Sequence, residues 1–154
     1  MKPIIGSCVF LALAGHVPAG EIRLDECPAP VQETVRQYGR QGKVDEAKSY
    51  DIQGRMLYVV EIDLPDKREL RLHVSPDGTL VKMSEEITAD ELPEAVRAVV
   101  DGKAAGGTLD DVERETVGKV VRYRIEIERK RMPDVDLLLD PSGAVLSEKE
   151  EADD

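Results

Sequence analysis

The sequence is poor in the residues that most active sites use. Its 154 residues include two histidines, two cysteines, one phenylalanine and no tryptophan. Of these histidines and cysteines, only His73 and Cys27 lie beyond residue 19. A serine–histidine or cysteine–histidine pair would therefore have to use His73. The Cys-x-x-Cys and His-x-x-x-His spacings typical of zinc ligands do not occur. We therefore predict a protein that is not an enzyme and that binds no metal or cofactor.

The sequence also lacks an apolar run long enough to cross a bilayer, which takes about 20 residues. Its main apolar run, residues 4–14, follows Lys2 and precedes the small-residue stretch Val17–Ala19. This order is typical of a secretory signal peptide. We predict that residues 1–19 are a signal peptide cleaved after Ala19, and that the mature protein is periplasmic or secreted without stable membrane insertion. A lipoprotein acylated at Cys8 is less favoured, because only seven residues precede this cysteine.

Positive charge is scarce as well. The chain has 21 lysines and arginines against 32 aspartates and glutamates, a formal net charge of −11. Nucleic acids and anionic membrane surfaces bind through displacement of counterions by positive charge, so both are disfavoured as partners. An acidic surface favours solubility and, if it selects a partner at all, a basic one.

What the sequence does contain is an internal repeat. Residues 25–86 align without a gap on residues 90–151, at an offset of 65 positions, and fifteen of the sixty-two pairs are identical. We predict two tandem repeats with these bounds, followed by an acidic tail at 152–154. Cys27 aligns with Leu92, which predicts a small buried hydrophobic side chain. A reactive thiol or an intermolecular disulfide stays open as the alternative.

Each repeat is predicted to form one helix and four strands. Leu92, Val96 and Val100 make an apolar stripe at helical spacing, and residues 121–128 then alternate between apolar and polar. Turns such as Asp140–Gly143 separate the later strands. The predicted fold class is α+β, with two tandem copies of a helix followed by a four-stranded antiparallel sheet and the helices packed on one sheet face. The two sheets could also join edge to edge.

Several of these segments resemble the PepSY and PepSY-like family, which includes a tandem form likened to beta-lactamase inhibitor proteins. The similar segments are Leu92–Val96 at the helix start, the strand Tyr123–Ile127, and Leu137–Leu146 with its turn. The resemblance implies an exported bacterial module without enzymatic activity, whose relatives are proposed to bind or restrain proteases or other envelope proteins. Cys27 departs from the pattern, because it replaces the leucine that opens the helix in the second repeat.

The candidate functional surface is the sheet face opposite the helices. Alternation places Leu57 and Val59 of the first repeat there, with a surface histidine, His73, nearby. Arg122 and Arg124 occupy the matching positions of the second repeat. Exposed apolar residues in a patch suggest a contact with another protein. A structural or ligand-sensing accessory domain without inhibitory activity is the alternative, and the oligomeric state stays open.

Overall fold

The computed structural model describes residues 17–151, with side chains from residue 20 onward. Apart from two short 3₁₀ helices, Leu24–Glu26 and Ala89–Glu91, two α-helices and nine strands follow one another along these residues. They are β1 (Val17–Glu21), α1 (Ala29–Tyr38), β2 (Lys43–Ile52), β3 (Arg55–Asp63), β4 (Glu69–Val74), β5 (Leu80–Glu86), α2 (Glu94–Ala104), β6 (Thr108–Val117), β7 (Val120–Glu128), β8 (Asp134–Leu139) and β9 (Val145–Glu151). We call α1 with β2–β5 the first half and α2 with β6–β9 the second half. Strands β2–β5 and β6–β9 have bounds that differ by 65 residues.

All nine strands belong to one antiparallel sheet, in which each strand pairs with the next one along the chain. The predicted fold class is therefore wrong, because it assigns a separate four-stranded sheet to each repeat. The two halves instead join where β5 pairs with β6, and β1 adds a ninth strand beside β2. The physical reason is that an open sheet edge leaves backbone N–H and C=O groups unpaired, and pairing β5 with β6 removes two such edges.

The two helices cover one face of this sheet. Pro28 and Pro93 directly precede α1 and α2, where the fixed φ of proline suits the start of a helix. Each helix packs on its own half, α1 against β4 and α2 against β7. Val31 and Val96 are both fully buried at these contacts. Each half therefore has its own apolar core beneath its own helix.

The two cores are similar in composition. The first consists of α1 valines and inward-facing strand residues, among them Val60, Ile62, Leu70, Leu72 and Val74. The second contains Val96, Val100, Ile125, Ile127, Val135, Leu137 and Leu139. Burying large aliphatic side chains contributes roughly 1.5–3 kcal/mol for each one. The helical stripe and strand alternation seen in the sequence supply these residues.

The junction between the halves is polar. Glu85 in β5 lies opposite Arg114 in β6, and Ser84 lies opposite Glu115. The side chain of Glu85 is only 2% exposed, and it accepts hydrogen bonds from Arg40 and Arg114 on the helix-covered face. The two apolar cores are thus linked by a strand pair that carries buried charges.

The predicted signal peptide falls mainly on residues 1–16, outside the described residues, as does the predicted tail at 152–154. Val17–Ala19 form the start of β1, whose partner strand is β2. Cleavage after Ala19 would leave only Gly20 and Glu21 of this strand, and the cleavage site stays a prediction. Among the described residues, neither helix is long and apolar enough to span a membrane.

Candidate binding surface

The sheet face opposite α1 and α2 is called the open face below. Side chains alternate between the two faces of a strand. Because Tyr58, Val60 and Ile62 pack in or against the first core, Leu57 and Val59 lie on the open face. Both α-helices pack on the other side of the sheet, because Val31 of α1 and Val96 of α2 belong to the two cores.

Leu57 and Val59 form the centre of an apolar group in the first half. Val59 lies between Lys48 on β2 and His73 on β4, and Leu57 lies opposite Tyr50 on β2. Strand alternation predicts that both Leu57 and Val59 are exposed. Leu57 is half-buried, but only 6% of Val59 is exposed, because the neighbouring strands shield it. Of these two residues, Leu57 therefore provides the apolar surface that another protein could contact.

His73 lies on the open face, as alternation predicts, but it is not the surface histidine that the sequence predicts. Its ring is half-buried. Burial, with help from the positive charges of Lys82 and Arg71, lowers the pKa of His73 from 6.5 to about 4. At neutral pH this side chain is therefore uncharged and contributes apolar surface and hydrogen-bonding capacity.

Arg122 and Arg124 lie on the same face but belong to an ion network that strand alternation alone does not predict. At its centre is Glu115, whose side chain is 3% exposed. Lys82 Nζ lies 2.8 Å from Glu115 Oε1, and Arg122 Nη2 and Arg124 Nε each lie 3.4 Å from a Glu115 oxygen. Arg124 Nη1 also lies 2.8 Å from Asp136 Oδ2. Both arginines are thus held by carboxylates and are not free surface charges.

The network keeps Glu115 ionised despite its burial. Burial alone would raise the pKa of the Glu115 carboxyl, but the hydrogen bond from Lys82 and the charges of both arginines outweigh this effect and lower it. Among the buried side-chain nitrogen and oxygen atoms of the described residues, Arg122 Nε is the one that has no hydrogen-bond partner. A fixed network of this kind presents charge in one defined arrangement.

The repeat alignment contains a signal for this network. Position 115 aligns with Tyr50, position 122 with Leu57 and position 124 with Val59. An aromatic and apolar group in the first half is replaced by an acid and two bases in the second half. Three linked replacements at positions that share one sheet face point to an ion network, although the contribution of Lys82 depends on the β5–β6 pairing.

The structure brings the five predicted residues onto one face but not into one cluster. Leu57, Val59 and His73 lie on β3 and β4, whereas Arg122 and Arg124 lie on β7. Strands β5 and β6 separate the two groups. The open face is therefore a mixed surface, with an apolar group in the first half and an ion network in the second.

Within residues 17–151, the histidine, cysteine and carboxylate side chains form no group of three or more that could hold a metal ion. Cys27 is 4% exposed, as its alignment with Leu92 predicts, and burial raises the pKa of its thiol. A buried thiol with a raised pKa is a poor nucleophile.

No family model matches the chain, and no curated protein matches its sequence. Solved structures do match. A DUF2874 family protein from Bacteroides uniformis has a TM-score of 0.63 at 19% identity, covering 80% of this chain and 89% of that one. A BLIP-like protein from Bacteroides fragilis has a TM-score of 0.58 at 21% identity, covering 82% and 90%. A proposed periplasmic protein from Bacteroides eggerthii has a TM-score of 0.65 at 19% identity, covering 80% and 88%.

At these identities the likeness concerns the fold alone. The chain has a BLIP-like fold, which confirms that part of the resemblance seen in the sequence. Membership of the PepSY family is not confirmed, because no family model matches.

Proposed function

We propose that this chain is an exported, non-enzymatic protein-binding module that contacts its partner through the open face. Its action would be to restrain or inhibit a protease or another protein of the cell envelope. The observation that carries the proposal is the apolar group of Tyr50, Leu57 and Val59 on a sheet face that neither helix covers. The fold shared with a BLIP-like protein supports a binding role, and the fold shared with a proposed periplasmic protein supports the location.

The arrangement of the open face suits protein recognition. Interfaces combine an apolar centre with polar and charged groups around it. Here Leu57 supplies the apolar contact, and the network around Glu115 supplies charges whose positions are already fixed. Side chains that are ordered before binding lose little conformational entropy in the complex.

Site-specific photo-crosslinking tests this proposal in intact cells of the source organism. A photoreactive phenylalanine analogue replaces Leu57 in one variant and Tyr38 in the other. Tyr38 is a matched control, because it is an exposed apolar residue of α1, on the opposite side of the sheet. We expect a specific adduct with one envelope protein at position 57 and none at position 38.

The identity of the adduct separates the candidate functions. A protease or other envelope enzyme whose activity rises when this chain is deleted supports restraint or inhibition. An adduct with a structural protein would favour the accessory-domain alternative. Absence of any adduct at position 57, or equal adducts at both positions, would overturn the open face as the contact surface.

A further inference from the structure

Strand β9 is one of the two edges of the sheet. Within residues 17–151 it pairs with β8 alone, so one side of its backbone has no strand beside it. At the other edge, β1 is five residues long and contains Pro18 and a shift in register, features that protect an edge from further pairing. The seven residues of β9 include no proline. A further strand could therefore pair with β9.

The repeat shows how a strand binds to an edge of this kind. β9 aligns with β5, whose outer side pairs with β6. In that pairing Arg114 of β6 lies opposite Glu85 and donates a hydrogen bond of 2.7 Å to its carboxylate. The side chain of Glu85 is only 2% exposed. The β5–β6 pairing is thus a template for a strand bound to β9.

Glu150 is the counterpart of Glu85 in β9, and it has half of the same surroundings. Glu85 is bound by Arg40 of its own half and by Arg114 of the neighbouring strand. Glu150 is bound by Arg129 of its own half, at 2.9 Å, and no further strand among the described residues brings it a second arginine. Its side chain is 60% exposed. A strand placed on β9 as β6 is placed on β5 would bring one residue opposite Glu150, and charge complementarity favours a base there.

The other charges of β9 also select what can pair with it. Glu148, Glu150 and Glu151 make the strand acidic, and Lys149 is its one base. Like charges opposite each other destabilise strand pairing, so the β9 strand of a second copy is disfavoured. The β2 strand of a second copy is covered by β1. The strand that fits this edge is therefore a basic one from another protein.

The start of β9 adds apolar surface to the edge. Val145 is 43% exposed and Leu146 is 51% exposed. A strand that extends past Ser147 would cover part of this surface. Its burial would add hydrophobic stabilisation to the backbone hydrogen bonds of the new strand pair.

We propose that the outer edge of β9 binds an extended, basic segment of a partner protein by strand addition, with an arginine or lysine opposite Glu150. In this mode of recognition, backbone hydrogen bonds provide affinity and side chains provide specificity. The inference goes beyond the proposed function and does not rest on it, because it concerns the edge of the sheet and not the open face. Crosslinking at Leu57 and the experiment below can therefore fail independently.

The probe is a peptide that copies residues 112–117 of β6 and carries Glu113→Lys. In the register of β5 with β6, its arginine lies opposite Glu150 and its glutamate opposite Lys149. The anisotropy of a fluorescent label on the peptide measures its binding to the full-length protein. We expect saturable binding that Glu150→Gln weakens about tenfold, because a hydrogen bond between charged groups is lost. Glu150 lies on the surface, so this variant should fold.

Two controls separate specific pairing from attraction between net charges. Glu21→Gln makes the same change in net charge at an exposed glutamate of the opposite edge strand, β1, and should leave the affinity unchanged. A second probe, in which Arg114→Glu is added, should bind the wild type at least about tenfold more weakly than the first. Equal weakening by Glu21→Gln and Glu150→Gln would overturn the inference.

Hydrogen exchange tests whether the bound probe forms a strand. Saturating probe should slow exchange of the outward-facing amides of β9 about tenfold or more and leave β1 unchanged, because those amides become hydrogen-bonded. Absence of saturable binding, or unchanged exchange in β9, would overturn the inference. Self-association of the protein that Glu150→Gln abolishes would also overturn it, because a second copy would then occupy the edge.

Discussion

Removal of the Glu85 carboxylate should destabilise the protein far more than removal of its counterpart in the second half. Glu85 is 2% exposed and accepts hydrogen bonds from Nη1 and Nη2 of Arg40 and, at 2.7 Å, from Nη2 of Arg114. Hydrogen bonds to charged groups contribute about 1.5–3 kcal/mol each. The two arginines are 46% and 36% exposed, so water can solvate them once the carboxylate is gone. We therefore expect Glu85→Ala to lower the free energy of unfolding by about 3 kcal/mol rather than by the sum of the bonds.

The matched control is Glu150→Ala, because Glu150 aligns with Glu85 but lies on the edge strand β9. Its side chain is 60% exposed and pairs with Arg129 at 2.9 Å. A surface pair of this kind contributes about 0–1 kcal/mol. Urea unfolding followed by circular dichroism measures both variants, since the chain has no tryptophan to report by fluorescence. Equal losses in the two variants would refute the assignment of Glu85 as a buried link between the halves.

The pH dependence of Glu85→Ala provides a second check. Burial works to raise the pKa of Glu85, but the hydrogen bonds from Arg40 and Arg114 outweigh it and hold this pKa below its usual value of 4.5. A carboxyl with a lowered folded-state pKa stabilises the protein at neutral pH, and this contribution is lost as the pH falls through the lowered value. The difference in stability between wild type and variant should therefore shrink in acid below about pH 4. A difference that stays constant into strong acid would contradict the charged hydrogen bonds.

Three further outcomes are expected. Because the folded-state pKa of His73 is about 4 and its ordinary value is 6.5, the stability of the wild type relative to His73→Gln should fall by roughly 2–3 kcal/mol as the pH falls from 6.5 to 4; urea titrations of both proteins at both pH values measure this. Gly143→Ala should cost about 1–3 kcal/mol more than Gly118→Ala, because both glycines have positive φ but only a Cβ at 143 would lie 2.6 Å from the carbonyl oxygen of Ala95; equal losses would contradict the clash. The thiol of Cys27 should react slowly with a disulfide reagent in the folded protein lacking residues 1–19 and fast in urea, because it is 4% exposed.

Local sequence patterns predicted which residues face the helices. The alternation of apolar and polar residues along β3 and β7 places Leu57 and Arg122 on the open face, where the structure has them. Alternation needs no knowledge of the neighbouring strands, because it depends only on the two-residue period of the backbone. The helical stripe that includes Val96 likewise depends only on a local period, the roughly 3.6-residue turn of the helix.

Exposure and pairing could not be predicted in this way, because both depend on which strands are neighbours. Val59 has the alternation of an exposed residue, yet it is buried between the side chains of Lys48 and His73. The charge on Glu115 depends on Lys82, which the β5–β6 pairing brings from the other half. The repeat suggests two units, but it contains no information on whether their edge strands pair.

The joining of the halves in one sheet has a consequence for any function of the open face. The ion network draws Lys82 from the first half and Arg122 from the second, so neither half alone can build it. Without Lys82, burial would oppose the negative charge of Glu115, and the arginines would lose part of the anchor that holds them. Each half has its own core, but the ion network of the open face exists only when β5 and β6 are paired. Substitutions at this junction should therefore weaken the proposed binding even when they alter no side chain of the open face.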